Sequence, residues 1–166
     1  DYYRPRQELQ GHGAGMCQPF TDGPQNNPDN PVEDVYLQLI SSARKMLYIT
    51  TPYLIIDNEM ENALILAARK GVEVVILTPG IPDKRMIWWI SRSYFGSLID
   101  AGVRIYSYTP GFVHAKTFIT DDRAAAVGTF NLDFRSLYLH FENGVCIIYS
   151  NLRKGEQNYE LFECIR

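Results

Sequence analysis

The chain has 166 residues, 46% of them hydrophobic, which is enough for one globular unit with its own core. Its formal net charge is −3, so no overall positive field attracts nucleic acid, and a nuclease ranks low among the candidate classes. Three cysteines without CxxC spacing predict free thiols in a reducing compartment. No apolar stretch approaches the ~20 residues that span a bilayer.

The first part of the chain is rich in residues that break regular structure. Residues 1–31 contain five prolines and four glycines with no apolar period, which predicts an extended lead-in. The folded domain is then expected to occupy residues 32–166. Asn30 as the N-cap and Pro31 at the first helical position predict an amphipathic helix that runs to about Lys45.

Helices then alternate with strands as far as Tyr108. The stretch "MLYITTPYLI" predicts a buried strand, Asp57 predicts the N-cap of a second helix that ends at Gly71, and "VEVVILTP" predicts a second strand. A third helix is predicted from Asp83 to Gly102, followed by the strand "VRIYSY". This alternation indicates an α/β sheet with right-handed crossovers and helices on its faces.

After Tyr108 the pattern changes to strands with short connections, "FVHAKTFIT", "AAAVGT" and "ENGVCIIYS", with "DDR" as a hairpin turn between the first two. A closing helix is predicted from about Glu156. Trp88 and Trp89 in the third helix cannot both face one buried stripe, so one of them is expected to be exposed or to face lipid.

A histidine and a lysine stand out in the later strands. His114 and Lys116 would project from one face of a strand, about 6.6 Å apart at ~3.3 Å per residue. A lone strand histidine is more often structural, but a buried ammonium beside it needs an anion or a carboxylate. Gly128 permits close backbone approach, Asn131 offers an amide donor, and Glu142 offers a carboxylate for the imidazole. Together they predict a site for a tetrahedral anion.

These residues belong to a longer pattern: His114-x-Lys116-x4-Asp121-x6-Gly128-Thr129-x-Asn131. The pattern resembles the signature of the phospholipase D superfamily. The stretches "YITTPYLIIDNEMENALILAARKGVEVVILTPG" and "GTFNLDFRSLYLHFENG" resemble more narrowly the C-terminal half of bacterial cardiolipin synthases, over roughly residues 30 to 150. The resemblance implies a phospholipase D-like mixed β-sheet flanked by helices on both faces.

The resemblance also implies a role for each motif residue. His114 would serve as general acid and later general base, with the nucleophile supplied by a second histidine. Lys116 and Asn131 would bind the non-bridging phosphate oxygens, and Glu142 would orient His114. Structural roles are implied for the remaining motif residues, Asp121, Gly128 and Thr129. No metal or other cofactor is implied, because a phosphohistidine intermediate divides the displacement into two steps.

One motif supplies one histidine, whereas this scheme needs two. The second is expected from a missing N-terminal half or from a homodimer about a twofold axis; His12 and His140 receive no role.

The implied reaction joins two phosphatidylglycerol molecules into cardiolipin and glycerol at the cytoplasmic side of a bacterial membrane, with the present chain as a soluble fragment. The alternatives are phospholipase D-type hydrolysis, or an inactive half-domain that only binds phosphate or anionic membrane. Nucleic acid is not expected as a partner.

Overall fold

A computed structural model describes residues 15–26, 29–121 and 123–149 of the chain. In chain order its elements are β1 Gly15–Asp22, a short 3-10 turn Pro24–Asn26, α1 Pro31–Ser42, β2 Met46–Thr50, β3 Leu54–Ile55, α2 Asn58–Arg69, β4 Glu73–Pro79, α3 Arg85–Ser93, α4 Phe95–Asp100, β5 Arg104–Tyr108, β6 Thr117–Thr120, β7 Ala124–Gly128, β8 Leu132–Asp133, α5 Phe134–Tyr138 and β9 Glu142–Tyr149.

Seven of these strands form one mixed sheet in the order β1-β9-β7-β6-β2-β4-β5. The strands β2, β4 and β5 run parallel, as the alternation of helices and strands predicts. The strands β6, β7, β9 and β1 add antiparallel pairs at the other side of β2. The predicted mixed α/β fold is therefore confirmed. Within the described residues, no helix has both the length and the apolar character that crossing a bilayer requires.

The strand β1 differs from the prediction that residues 1–31 form an extended segment before the domain. It pairs antiparallel with β9 over all of its eight residues. As an edge strand, β1 tolerates Pro19, because one side of such a strand makes no ladder bonds. Its last residue also serves α1: Asp22 Oδ2 accepts a hydrogen bond of 3.3 Å from the backbone N–H of Val32. Residues 1–14 lie outside the described part of the chain.

Helix boundaries follow the sequence signals at some ends and depart from them at others. Asp57 caps α2 as predicted, because its Oδ1 accepts a hydrogen bond of 2.8 Å from Met60 N. Asn30 was predicted to cap α1, but its amide lies 3.5 Å from a carboxylate oxygen of Glu33 instead. The predicted third helix is divided at Tyr94 into α3 and α4.

Several short elements were not predicted. The strands β3 and β8 form a separate parallel pair of two residues each, and α5 has five residues. Elements of this length are too short to show a period in the sequence. The strand predicted as "FVHAKTFIT" begins only at Thr117, so His114 and Lys116 precede it. The predicted closing helix from Glu156 lies outside the described residues.

Four aromatic rings join the elements that carry the predicted site. Tyr36 of α1 stacks on Phe118 of β6 with ring centres 4.2 Å apart, and meets Phe130 edge-on at 6.3 Å. Phe130 in turn stacks on Phe20 of β1 at 5.4 Å. Phe118 follows Lys116 by two residues, and Phe130 lies between Thr129 and Asn131. Burial of these rings therefore fixes the backbone on both sides of the site.

Asp121 supports the end of β6 that is remote from His114. Its carboxylate accepts hydrogen bonds from the backbone N–H groups of Arg44, Lys45 and Met46, at 2.6, 2.7 and 3.0 Å. Burial alone would raise the pKa of this carboxyl group, but the three N–H donors hold the pKa below its ordinary value. The backbone of Asp121 has φ of +53°, a conformation that aspartate tolerates better than most residues.

We expect Asp121→Ala to lower the free energy of unfolding by about 2 kcal/mol at pH 7, because three N–H groups lose a charged acceptor. The folded-state pKa is depressed, so this contribution is present above the ordinary aspartate pKa of about 3.9 and is lost as pH falls through the folded value. Urea unfolding at pH 7 and at pH 3 measures the loss of stability and its dependence on pH. Asp100→Ala, at the exposed end of α4, is the control. A difference between wild type and Asp121→Ala that does not shrink at low pH would contradict the assignment.

Gly128 allows β7 and β9 to approach closely. A Cβ atom built on Gly128 would lie 2.5 Å from the carbonyl oxygen of Asn143 and 2.8 Å from the Cα of Gly144, both backbone atoms. Gly96 in α4 offers a comparison, because a Cβ atom there would meet nothing within 4 Å among the described residues.

Gly128→Ala is expected to lower the free energy of unfolding by about 2–3 kcal/mol, since backbone on β9 would have to move. Gly96→Ala is expected to raise it by about 0.5–1 kcal/mol, because alanine is the better residue in a helix. Urea unfolding of the two variants tests both expectations. If both substitutions changed the free energy of unfolding equally, the close approach of β7 and β9 at Gly128 would not be what excludes a side chain there.

Candidate phosphate-binding site

The site lies at the carboxyl ends of β2 and β4. The strand β6 runs antiparallel to β2, so that Thr117 at its start pairs with Thr50 at the end of β2. His114 and Lys116 come just before Thr117, on backbone that has left the sheet ladder. Ligands of open α/β sheets bind outside the carboxyl ends of the parallel strands, and the two basic side chains lie at that edge.

Lys116 is the buried cation of the site, with 8% of its surface exposed. Its Nζ donates a hydrogen bond of 2.7 Å to the carbonyl oxygen of His114 and lies 3.1 Å from His114 Nδ1. Burial lowers the pKa of Lys116, while the carboxylates of Glu142 and Asp133 act in the opposite direction. The ammonium thus contacts the imidazole and the backbone carbonyl of the same residue, His114.

The imidazole of His114 is exposed, in contrast to Lys116. Its ring centre lies 5.5 Å from that of Phe112. Because the ammonium of Lys116 can only donate, a neutral imidazole accepts at Nδ1 and carries its hydrogen on Nε2. The second ring nitrogen is therefore the one that would present an N–H to a substrate.

Glu142 reaches the same site from the start of β9, where its carboxylate is engaged by other residues. It accepts a hydrogen bond from the hydroxyl of Thr129, and its Oε1 lies 3.6 Å from Nδ1 of His140. Arg135 Nε donates a bond of 2.7 Å to Nε2 of the same imidazole, so a neutral His140 directs its Nδ1 hydrogen towards Glu142. Among the described contacts, Glu142 makes no hydrogen bond to His114, and its orienting role stays a prediction.

Asn131 is held by the first turn of α5. Its Nδ2 donates a hydrogen bond of 2.9 Å to Oγ of Ser136, a fully buried residue whose backbone N–H is capped by Asp133 Oδ1 at 2.7 Å. The Oδ1 of Asn131 and the hydroxyl of Thr117 are buried without a partner among the described residues. One amide hydrogen of Asn131 is not used by Ser136, and it is the one available to a ligand.

One open hollow of about 500 Å³ brings these groups together. Its lining contains all four residues predicted to be catalytic and two of the three predicted to be structural: His114, Lys116, Asn131, Glu142, Gly128 and Thr129. Asp121 lies at the other end of β6. Asp133, Ser136 and His140 support the site and were not predicted. The signal for Asp133 was present in the sequence only in part, because aspartate is a preferred N-cap residue but no Glu or Gln follows three residues later.

The part of the chain that carries the site resembles a known protein family. A family model described as "Cardiolipin synthase, PLD-like domain" matches residues 36–160, which is more than half of the chain. The crystal structure of Nuc from Salmonella typhimurium, a phospholipase D family member, is similar with a TM-score of 0.65 and 21% identity, covering 81% of this chain and 84% of that chain. At this identity the structural likeness establishes the fold alone.

Two relatives extend the likeness at the level of sequence. An uncharacterized protein of Streptococcus mutans is 54% identical over 128 residues, which cover 77% of this chain and 28% of that protein. Cardiolipin synthase 2 of Bacillus anthracis is 40% identical over 159 residues, covering 95% of this chain and 31% of that protein. The chain thus spans less than a third of the length of these relatives. By the matched family model and these identities, the chain belongs to the PLD-like domain family of cardiolipin synthases.

Proposed function

We propose that the chain provides one half of a site that transfers a phosphatidyl group from one phosphatidylglycerol to another, giving cardiolipin and glycerol. The observation that carries this proposal is the buried ammonium of Lys116 beside His114, in a hollow also lined by Asn131 and Glu142. Among the described residues, only the imidazole and the carbonyl oxygen of His114 lie within hydrogen-bonding distance of this ammonium, and a buried cation with such partners suits an anionic phosphodiester.

The reaction has two displacements at one phosphorus atom. In the first, a histidine from a second motif attacks phosphorus, an N–P bond forms, and the P–O bond to the departing glycerol breaks. His114 gives a proton to that oxygen. In the second, a hydroxyl of another phosphatidylglycerol attacks phosphorus, the N–P bond breaks, and His114 takes the proton of the hydroxyl.

The contact between Lys116 and His114 supports the proton-donor role of His114. With Nδ1 accepting from the ammonium, the neutral ring holds its hydrogen on Nε2, whereas a nucleophile would need a lone pair on that nitrogen. When a phosphate draws the ammonium to its own oxygens, Nδ1 is released and can take a second proton. The resulting imidazolium would give its Nε2 hydrogen to the leaving oxygen. This leaves Nε2 with the lone pair that accepts the proton of the hydroxyl in the second displacement.

Lys116 and Asn131 would stabilise the charge that develops on the equatorial oxygens of phosphorus. Donors that are already in position stabilise a transition state more than a ground state, because no reorganisation is needed when the charge appears. Glu142 would orient His114 by exchanging its bond to Thr129 for one to the imidazole once substrate is present. Glu142 and His114 line the same hollow, which is what supports this role.

The second histidine and the membrane location belong to the same proposal. The second motif would come from a part of a longer protein or from a second copy of the chain, and the enzyme would act at the cytoplasmic side of a bacterial membrane. The identity to Cardiolipin synthase 2 over 95% of the chain favours an alcohol as acceptor over water. Hydrolysis would use the same first step and differ only in the second.

We expect His114→Gln to lower turnover of phosphatidylglycerol by about 10²–10⁴-fold, the usual contribution of a general acid. Lys116→Gln is expected to lower it by at least about 10²-fold, since a preorganised charge is lost. Lys70→Gln, at an exposed lysine after α2, is the matched control. The assay follows cardiolipin, free glycerol and phosphatidic acid from phosphatidylglycerol in detergent micelles, over a range of chain concentrations.

If the chain pairs with itself, the rate per chain should rise with concentration, because each site then needs two copies. Unchanged turnover by His114→Gln would contradict the assignment of the site. Formation of phosphatidic acid without cardiolipin would show that the reaction is hydrolysis and not transfer. A chain without turnover at any concentration would favour the binding-only alternative for the isolated chain.

A further inference from the structure

Helix α3 exposes three of its five apolar side chains to solvent. Met86, Trp89 and Ile90 are 71%, 66% and 39% exposed, and at about 100° per residue they lie within an arc of about 100°. The opposite side is polar at its most buried position, because Ser91 Oγ accepts a hydrogen bond of 3.2 Å from Leu54 N. A helix that packs on a sheet normally shows the reverse pattern. We call Met86, Trp89 and Ile90 the outer face of α3.

Cations border this outer face. Lys84 precedes α3 and Arg85 begins it, and Arg92 lies near its end; all three are exposed. The guanidinium of Arg92 lies 4.6 Å from the ring centre of Trp88. The one acid of this stretch, Asp83, accepts a hydrogen bond of 2.5 Å from the hydroxyl of Tyr53. Three cations thus border an apolar arc in a chain whose net charge is −3.

The inner side of α3 lies near the candidate site. Trp88, on the inner side of α3, donates a hydrogen bond of 3.4 Å to the carbonyl of Pro79. Trp88 and Phe112 line one small cleft, and the ring of Phe112 contacts that of His114. A surface that docks on α3 would therefore lie beside the hollow that contains His114 and Lys116.

We infer that the outer face of α3 docks on an anionic phospholipid surface and thereby brings the hollow at His114 to the level of the lipid headgroups. Aromatic and long apolar side chains with flanking Lys and Arg are typical of helices that lie in a membrane interface. The arc is also small for a protein partner. Nine residues at about 1.5 Å each make a helix about 14 Å long and about 10 Å wide, so one side of it offers roughly 140 Å², against about 500 Å² per partner in a stable protein interface of about 1,000 Å².

This inference deepens the proposed function, but its test measures binding and not turnover. The chain is mixed with vesicles of phosphatidylcholine alone or of equal parts phosphatidylcholine and phosphatidylglycerol, and the bound fraction is measured by flotation. We expect binding to the anionic vesicles that weakens as salt is raised, because the cations contribute through a screened field.

Trp89→Ser is expected to weaken binding to the anionic vesicles by about tenfold or more, because a large aromatic side chain no longer inserts. Arg85→Gln combined with Arg92→Gln is expected to reduce the salt dependence. Leu66→Ser, which removes an apolar side chain of α2 with 58% exposure, is the matched control and should bind as wild type does. Thermal unfolding followed by circular dichroism checks that each variant is folded.

The chain contains two tryptophans, which gives an independent measurement. In Trp88→Phe the remaining fluorescence reports Trp89, and a blue shift with anionic vesicles is expected. His114→Gln should bind vesicles normally, so loss of catalysis and loss of docking are separable. Equal binding of Trp89→Ser and wild type would overturn the inference. A smaller particle mass for Trp89→Ser than for wild type in the absence of lipid would also overturn the inference, because the outer face would then be a protein interface.

Discussion

The site depends on one buried cation, the ammonium of Lys116. Removing a charge from water is costly unless opposite charge or hydrogen-bond acceptors replace the solvent. The protein offers a carbonyl and an imidazole nitrogen of His114, with the carboxylates of Glu142 and Asp133 acting through space. These groups stabilise the ammonium of Lys116, and among the described residues no carboxylate forms a close ion pair with it. The arrangement therefore suits a bound phosphodiester anion, which would complete the set of acceptors.

The fold places this cation where it can act. Buried Phe118 anchors β6 immediately after the site, and buried Phe130 anchors the segment that carries Asn131. Asp121 holds the far end of β6 against the backbone before β2. The spacing of the signature thus has two physical origins: His114 and Lys116, just before β6, line the hollow, whereas Asp121, beyond the end of β6, secures the strand.

Sequence reasoning reached the parts of the site that depend on local spacing. His114 and Lys116 are two residues apart and both line the hollow. They precede β6, however, and Lys116 Nζ lies 3.1 Å from His114 Nδ1, so the arrangement differs from the predicted strand face with the two residues about 6.6 Å apart. Sequence reasoning did not reach contacts between distant residues, such as the bond from Thr129 to Glu142 or the role of Asp133. The strand β1 was not predicted because it contains a proline and a glycine, which an edge strand tolerates. The prediction that either Trp88 or Trp89 is exposed is confirmed by Trp89, but amphipathic periodicity did not tell that Met86 and Ile90 lie on the same outward side.

The most direct test of the central claim is an NMR titration of the Lys116 side chain, followed by its Cε signal, with and without inorganic phosphate. A buried ammonium awaiting an anion should titrate with a pKa below that of free lysine, as burial dictates. Added phosphate should raise that pKa, because an adjacent anion favours the charged form. A Lys116 pKa equal to that of free lysine and indifferent to phosphate would contradict the claim that this cation forms the phosphate site.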